Sequence, residues 1–176
     1  MSYYDEIYEY AADNYGLITS NEAYTNGIPR VELAKLSKRG RLTRLGHGVY
    51  RVAHYIPTPF DKYAEAVALT GKTAYLFGES VLAMHGLALV NPTVIYVATT
   101  DRVRRNLPAY IKIVICKDRG VVASYEGIPS QSVYDAIMAC RTSVMSERLL
   151  DAVDEARKQG LLTEKEARTV RKGLGK

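Results

Sequence analysis

The spacing of apolar positions in the first third of the chain predicts three helices followed by a hairpin. Tyr4, Tyr8, Ala11 and Tyr15 fall on one helical stripe, and Tyr3, Ile7 and Tyr10 on the adjacent one. That pattern predicts an amphipathic helix over 2–15, with Ser2 as its cap and the stripe as core. Asp5 and Glu6 in the first turn favour the helix dipole. Thr19-Ser20-Asn21-Glu22 is a capping box that opens a second, short helix. The Thr19 hydroxyl can accept from the amide three residues on, while Glu22 reaches back. Asn26-Gly27 ends it, and Pro29 opens a third helix as its first helical residue. Leu33 and Leu36 mark the inner face of that helix, which stops at Gly40. Leu42, Leu45 and Val49, interrupted by Gly46 and Gly48, then predict a small hairpin. Helix, tight turn, helix and hairpin is the order of a winged helix-turn-helix.

Beyond residue 53 the pattern changes. Ile56-Pro57-Thr58-Pro59 reads as a connector, since two prolines stop helix and strand alike. A domain boundary is expected near 55–58, which divides the chain into 1–56 and 57–176. Thr58, Pro59 and Asp61 start a helix reaching about Leu69. After a short apolar run at 74–77, Gly78-Glu79-Ser80 introduces another helix. β-Branched runs at 94–99 and 111–116 predict strands, with a third at 121–125 and a turn at 126–129. Ser132 with Asp135, Ser146, and the capping box Thr163-Glu164-Lys165-Glu166 start three further helices. Leu149, Leu150, Val153 and Ala156 are the stripe of the middle one, ended by Gly160. The expected class is α+β: an N-terminal winged helix-turn-helix followed by a mixed α/β C-terminal domain.

Charge gives the first of these domains a surface. No Lys or Arg precedes Arg30; Arg30, Lys35, Lys38, Arg39, Arg41, Arg44 and Arg51 then follow, opposed only by Glu32. Cations gathered on one helix and its hairpin are the footprint of a nucleic-acid binder; a merely solvated basic face is the bland alternative. A helical wheel that takes Leu33 and Leu36 as the core direction turns Val31, Ala34, Lys35 and Lys38 outward. Two small apolar side chains gain nothing in water. In a major groove they could touch thymine methyls while the lysines reach guanine edges or phosphates. Cover by another part of the chain is the competing explanation.

Composition narrows the classes further. With 47% hydrophobic and 24% charged residues, the 176-residue chain reads as soluble and globular, one ordinary domain or two small ones. No apolar run approaches the ~18 residues of a membrane span, and the first residues lack a basic-then-apolar leader pattern, so a cytoplasmic protein is expected. Cys116 and Cys140, without C-x-x-C spacing, read as buried free thiols. A nucleotidyltransferase would need paired carboxylates on a strand to hold its metal, and the 93–100 run leads only to Asp101. A nuclease would need an acid, a spacer and a Lys in sequence on a strand, and none is present. His47 lies in the hairpin turn, His54 in the connector and His85 before Gly86; no pair has metal-ligand spacing. His85 with Cys140 or Ser80 could form a nucleophile pair, but a capping or otherwise satisfied histidine is the simpler reading. Glu79 with Arg102, Arg104 and Arg105 could make an ionic or ligand surface, against a default of solvated loop. The reading is therefore non-enzymatic, with no cofactor and no metal.

The run GLITSNEA…GIPRVELAKLSKRGRLTRLGHGVYR resembles the N-terminal domain of the AbiEi antitoxins of bacterial type IV toxin–antitoxin (abortive infection) systems. FGESVLAMHGL, VIYVATT and YEGIPSQSVYDAI resemble their C-terminal domain, which extends the likeness from about residue 5 to about residue 160. The resemblance implies a bifunctional protein. Its winged domain would bind inverted repeats in double-stranded DNA upstream of its own operon and repress it. The C-terminal domain would counter a co-encoded AbiEii-like nucleotidyltransferase toxin without a stable complex. By position, Arg30, Lys35, Lys38 and Arg39 fall on the recognition helix, and Arg41, Arg44, His47 and Arg51 on the wing. Two other classes compete: an antitoxin that complexes its toxin directly, and a nucleotidyltransferase-like enzyme.

Overall fold

Three of the helix starts are closed by the hydrogen bonds their sequences call for. In a computed structural model describing residues 1–175, the Ser2, Thr19 and Thr163 side chains each accept from the backbone amide three residues on. Asp5, Glu22 and Glu166 return the bond to the cap amide. The polypeptide forms two compact units, residues 1–72 with 103–107, and residues 73–102 with 108–175.

The first unit runs α1 (Tyr3–Ala12), β1 (Leu17–Thr19), α2 (Ser20–Thr25), α3 (Arg30–Lys38), β2 (Leu42–Gly46), β3 (Val49–Val52) and α4 (Asp61–Thr70). Its antiparallel sheet has the order β1-β3-β2, with Ile18 opposite Tyr50 and Leu42 opposite Val52. The register shifts between Arg44 and Gly46, a bulge beside the hairpin turn. Ile7, Ala11, Ile18, Ala23, Ile28, Leu33, Leu36, Leu42, Tyr50 and Val52 form one core, flanked by Tyr4, Tyr10 and Tyr55.

Several expectations shift here. The first helix ends at Ala12 rather than Tyr15, because Tyr15 and Gly16 adopt positive φ and turn the chain into β1. A side chain at Gly16 would collide with the Tyr55 ring, its Cβ only 2.6 Å from Cγ, so the sharp reversal needs glycine. β1 has no signal of its own in the sequence: it is three residues whose identity as a strand comes from pairing with β3. Tyr3 and Tyr8, read as core, are 42% and 47% exposed, since Ile7 and Ala11 fill the inner face. Pro29 is the N-cap of α3, one residue before the expected place.

The first compact unit also extends past the connector to include α4. Gly46 lies so close to Leu69 that a Cβ would approach Leu69 Cδ2 to 2.5 Å, which seats the bulge on that helix. Arg105 donates to the Thr70 carbonyl at 2.8 Å, capping the C-terminal end of α4 instead of standing in a solvated loop.

The second unit contains β4 (Tyr75–Leu76), α5 (Glu79–Met84), β5 (Ile95–Thr99), β6 (Ile111–Ile115), β7 (Ala123–Tyr125), β8 (Ile128–Ser130), α6 (Val133–Ala139), α7 (Ser146–Lys158) and α8 (Glu164–Gly173). Its mixed sheet has the order β6-β5-β4-β8-β7. β5 pairs β6 and β4 pairs β8 in parallel, while β4–β5 and β7–β8 are antiparallel. The turn expected over 126–129 is confined to Glu126 and Gly127, both at positive φ; Ile128 already belongs to β8, opposite Tyr125. Leu76, Val97, Leu82, Ile137, Leu149 and Val153 are among its fully buried residues.

Leu33 is wholly buried at the centre of the first core. Leu33→Ala should destabilise that unit by about 2–5 kcal/mol, read as accelerated hydrogen exchange of the β1, β2 and β3 amides with those of β5 unaffected.

Candidate nucleic-acid interface

α3 has no side-chain cap; Pro29 simply fixes the backbone that leads into it. Glu32 in its first turn and Lys35 and Lys38 in its last suit the helix dipole, so part of the lysines' role is local. Leu33 and Leu36 point into the core, and Arg30, Val31, Ala34, Lys35, Lys38 and Arg39 are all exposed. Val31 stands among these cations as an aliphatic side chain 57% exposed.

The cations differ in how they are held. Lys35 is paired with Glu32 at 2.7 Å. Arg30 donates from Nη2 to Asn21 Oδ1 at 3.0 Å and lies 5.4 Å from the centre of the Tyr24 ring, both partners being on α2. Arg41 stacks over Tyr4 at 5.0 Å. On the hairpin, Arg44 is exposed and folds its Nε back to the Gly46 carbonyl at 3.2 Å, with His47 exposed at the turn. Lys38 and Arg39 have no ion-pair partner among the described residues.

Arg51 departs from the others. It is half-buried, its Nη1 is 2.9 Å from Glu65 Oε2, and its Nε donates to the Tyr15 carbonyl at 3.4 Å. Its ring-plane neighbour is Tyr55, and Nη2 is buried without a hydrogen-bond partner. This guanidinium ties β3 to the α1–β1 turn and to α4, so it stands apart from the exposed patch.

Behind the patch, α1 and α2 are joined through Tyr10. Burial and the neighbouring Glu22 carboxylate push its phenol up to about 12. The same Glu22 closes the Thr19 capping box, so one carboxylate serves the start of α2 and faces α1. Asn21 and Tyr24 carry no signal of this role in the sequence. They meet Arg30 across the inter-helix turn, a relation that spacing along one helix does not reveal.

The other candidates resolve into structural roles. His85 caps the end of α5, its ring centre 4.0 Å from that of Tyr125, and burial holds its pKa below the usual value. Cys140 is buried, and burial, then Glu79, push its thiol up to about 12, far from a reactive thiolate. Ser80 Oγ accepts from the Tyr96 amide at 2.7 Å. Cys116 is half-buried rather than buried, and both thiols are free. Among the described residues, no group of three or more His, Cys, Asp or Glu is placed to hold a metal ion. No helix among them is long and apolar enough to cross a membrane.

Residues 5–53 match the family model described as transcriptional regulator, AbiEi antitoxin. The match runs from within α1 to the end of β3, and over that segment it bears out the likeness to AbiEi antitoxins read from the sequence. No curated protein matches the chain.

Replacing Glu65 by Gln strips the carboxylate from a half-buried guanidinium. Glu65→Gln should lower stability by about 1–2 kcal/mol, measured as a shift in the urea midpoint. Arg51→Lys with Glu65 intact should also lower the midpoint, because an ammonium lacks the planar fork that reaches the Glu65 carboxylate and the Tyr15 carbonyl together.

Proposed function

We propose that residues 1–56 form a winged helix-turn-helix that binds double-stranded DNA, with α3 as recognition helix and the β2–β3 hairpin as wing. The observation that carries this reading is the outer face of α3, where Val31 and Ala34 lie exposed among Arg30, Lys35, Lys38 and Arg39. A major groove about 12 Å wide admits a helix, and this face offers it both methyl groups and donors. Arg39 and Arg41 follow the helix end, and Arg44 and His47 the hairpin, where they would meet phosphates on either side of the groove. Arg51 supports this surface from within rather than touching the duplex.

The protein acts, in this reading, in the cytoplasm as an antitoxin and as repressor of its own operon, at inverted repeats upstream of it. The antitoxin function lies within residues 57–176, chiefly in the second compact unit, countering an AbiEii-like nucleotidyltransferase toxin without forming a stable complex with it. The reaction chemistry then belongs to the toxin. That division agrees with the structural roles of Ser80, His85 and Cys140 in this chain.

Lys38→Ala or Arg44→Ala should weaken binding to operator and random duplexes alike, and flatten the salt dependence by about one for each phosphate left without its cation. Gel shifts on the upstream region at two salt concentrations measure this. Unchanged affinity in the Lys35→Ala, Lys38→Ala, Arg44→Ala triple variant would remove the groove assignment. Co-expression with an AbiEii-like nucleotidyltransferase toxin should restore growth, and should still do so with the triple variant supplied from an unrelated promoter. Failure of rescue by that variant would place antitoxin action on the basic face instead.

A further inference from the structure

We propose that Arg30 is the side chain that reads sequence, donating to the edge of a guanine, and that Asn21 and Tyr24 are the positioning residues that hold it for the purpose. This rests on the DNA-binding reading above.

The exposed cations of this surface are of two kinds. Lys38 and Arg39 are exposed and have no ion-pair partner among the described residues, which suits phosphate binding that tolerates many geometries. Lys35 is offset by the Glu32 carboxylate at 2.7 Å. On α3, Arg30 differs in being held by partners other than a carboxylate. Asn21 Oδ1 accepts from Nη2 at 3.0 Å and the Tyr24 ring lies beneath the guanidinium at 5.4 Å, and both partners are neutral. No carboxylate pairs with it among the described residues.

The donor arithmetic permits base reading. A guanidinium has five N–H donors, and Asn21 occupies one of the two on Nη2. The other Nη2 hydrogen and those on Nη1 remain, the pair needed to bridge guanine O6 and N7. Arg30 is also the first residue of α3, and it is the N-terminal residues of a recognition helix that touch base edges. An arginine already oriented in the free protein gives up less freedom on binding than an unrestrained one, which concentrates its effect on the matched base. Val31 beside it is the exposed apolar neighbour that a flanking thymine methyl would meet.

Selection from a randomised duplex library, followed by anisotropy titrations at fixed salt, tests this. The wild-type protein should enrich a guanine at one fixed position and prefer it over other bases by about tenfold to a hundredfold. Arg30→Ala and Arg30→Lys should lose that preference while keeping those at other positions. Tyr24→Leu and Asn21→Ala should reduce it several-fold, and Tyr24→Phe, which retains the ring, should preserve it. The inference is overturned if Arg30→Lys retains the guanine preference, or if Arg30→Ala weakens every duplex equally, which would make Arg30 a phosphate ligand. A wild-type protein that binds duplexes without a guanine preference overturns the inference alone. One that binds no duplex overturns the DNA-binding reading with it.

Discussion

Burial of Leu33 and Leu36 against Ile7, Ile18, Ala23 and Ile28 decides which way α3 faces. A nine-residue helix is too short to be stable by itself in water, so its rotational setting is whatever the core imposes. Once those two leucines are inside, 3.6-residue geometry sends Val31, Ala34, Lys35 and Lys38 outward together. The same core receives Leu42 and Val52 from the hairpin, so the helix and the strands that flank it share one foundation. A change of one position in the leucine spacing would rotate the cations into the interior, where their desolvation could not be offset.

The distribution of positive charge has a further layer. Seven cations between Arg30 and Arg51 face a single carboxylate in the sequence, yet their environments make them unequal. Arg51 supports the fold, Arg41 and Arg30 lie on tyrosine rings, Arg44 bends to its own backbone, and Lys38 and Arg39 have no ion-pair partner among the described residues. In the proposed DNA-binding reading, unpaired charge adds affinity at long range and oriented charge adds discrimination at close range. The tyrosines of α1 and α2 thus connect to the basic segment: Tyr4 and Tyr24 are the ring partners of Arg41 and Arg30.

The second unit illustrates how nucleophile-like residues can be absorbed into structure. Ser80, His85 and Cys140 are respectively an acceptor for a strand amide, a helix cap against a tyrosine, and a thiol held neutral by burial. Gly78 begins α5 at positive φ, and its amide donates to Gln131 Oε1 at 2.7 Å, so the donor at this helix start is already occupied. Chemistry-bearing residue types near one another are therefore weak indicators until their hydrogen bonds are known.

The parts of this protein that its sequence determined are those set by neighbours a few residues apart. Capping boxes at Ser2, Thr19 and Thr163, the stops at Gly27 and Gly40, the hairpin, and the outward face of α3 follow from local hydrogen bonds and helical period. What only the tertiary structure decided depends on partners far along the chain. β1 is a strand because β3 lies beside it, Tyr8 is exposed because Ile7 and Ala11 fill the core, and β8 begins inside what reads as a turn. The placement of Arg51 with Glu65, and of Arg30 with Asn21 and Tyr24, belongs to the same class. A side chain's charge is written at its own position, but whether that charge is spent on the fold or left for a ligand depends on which distant residue comes within reach of it.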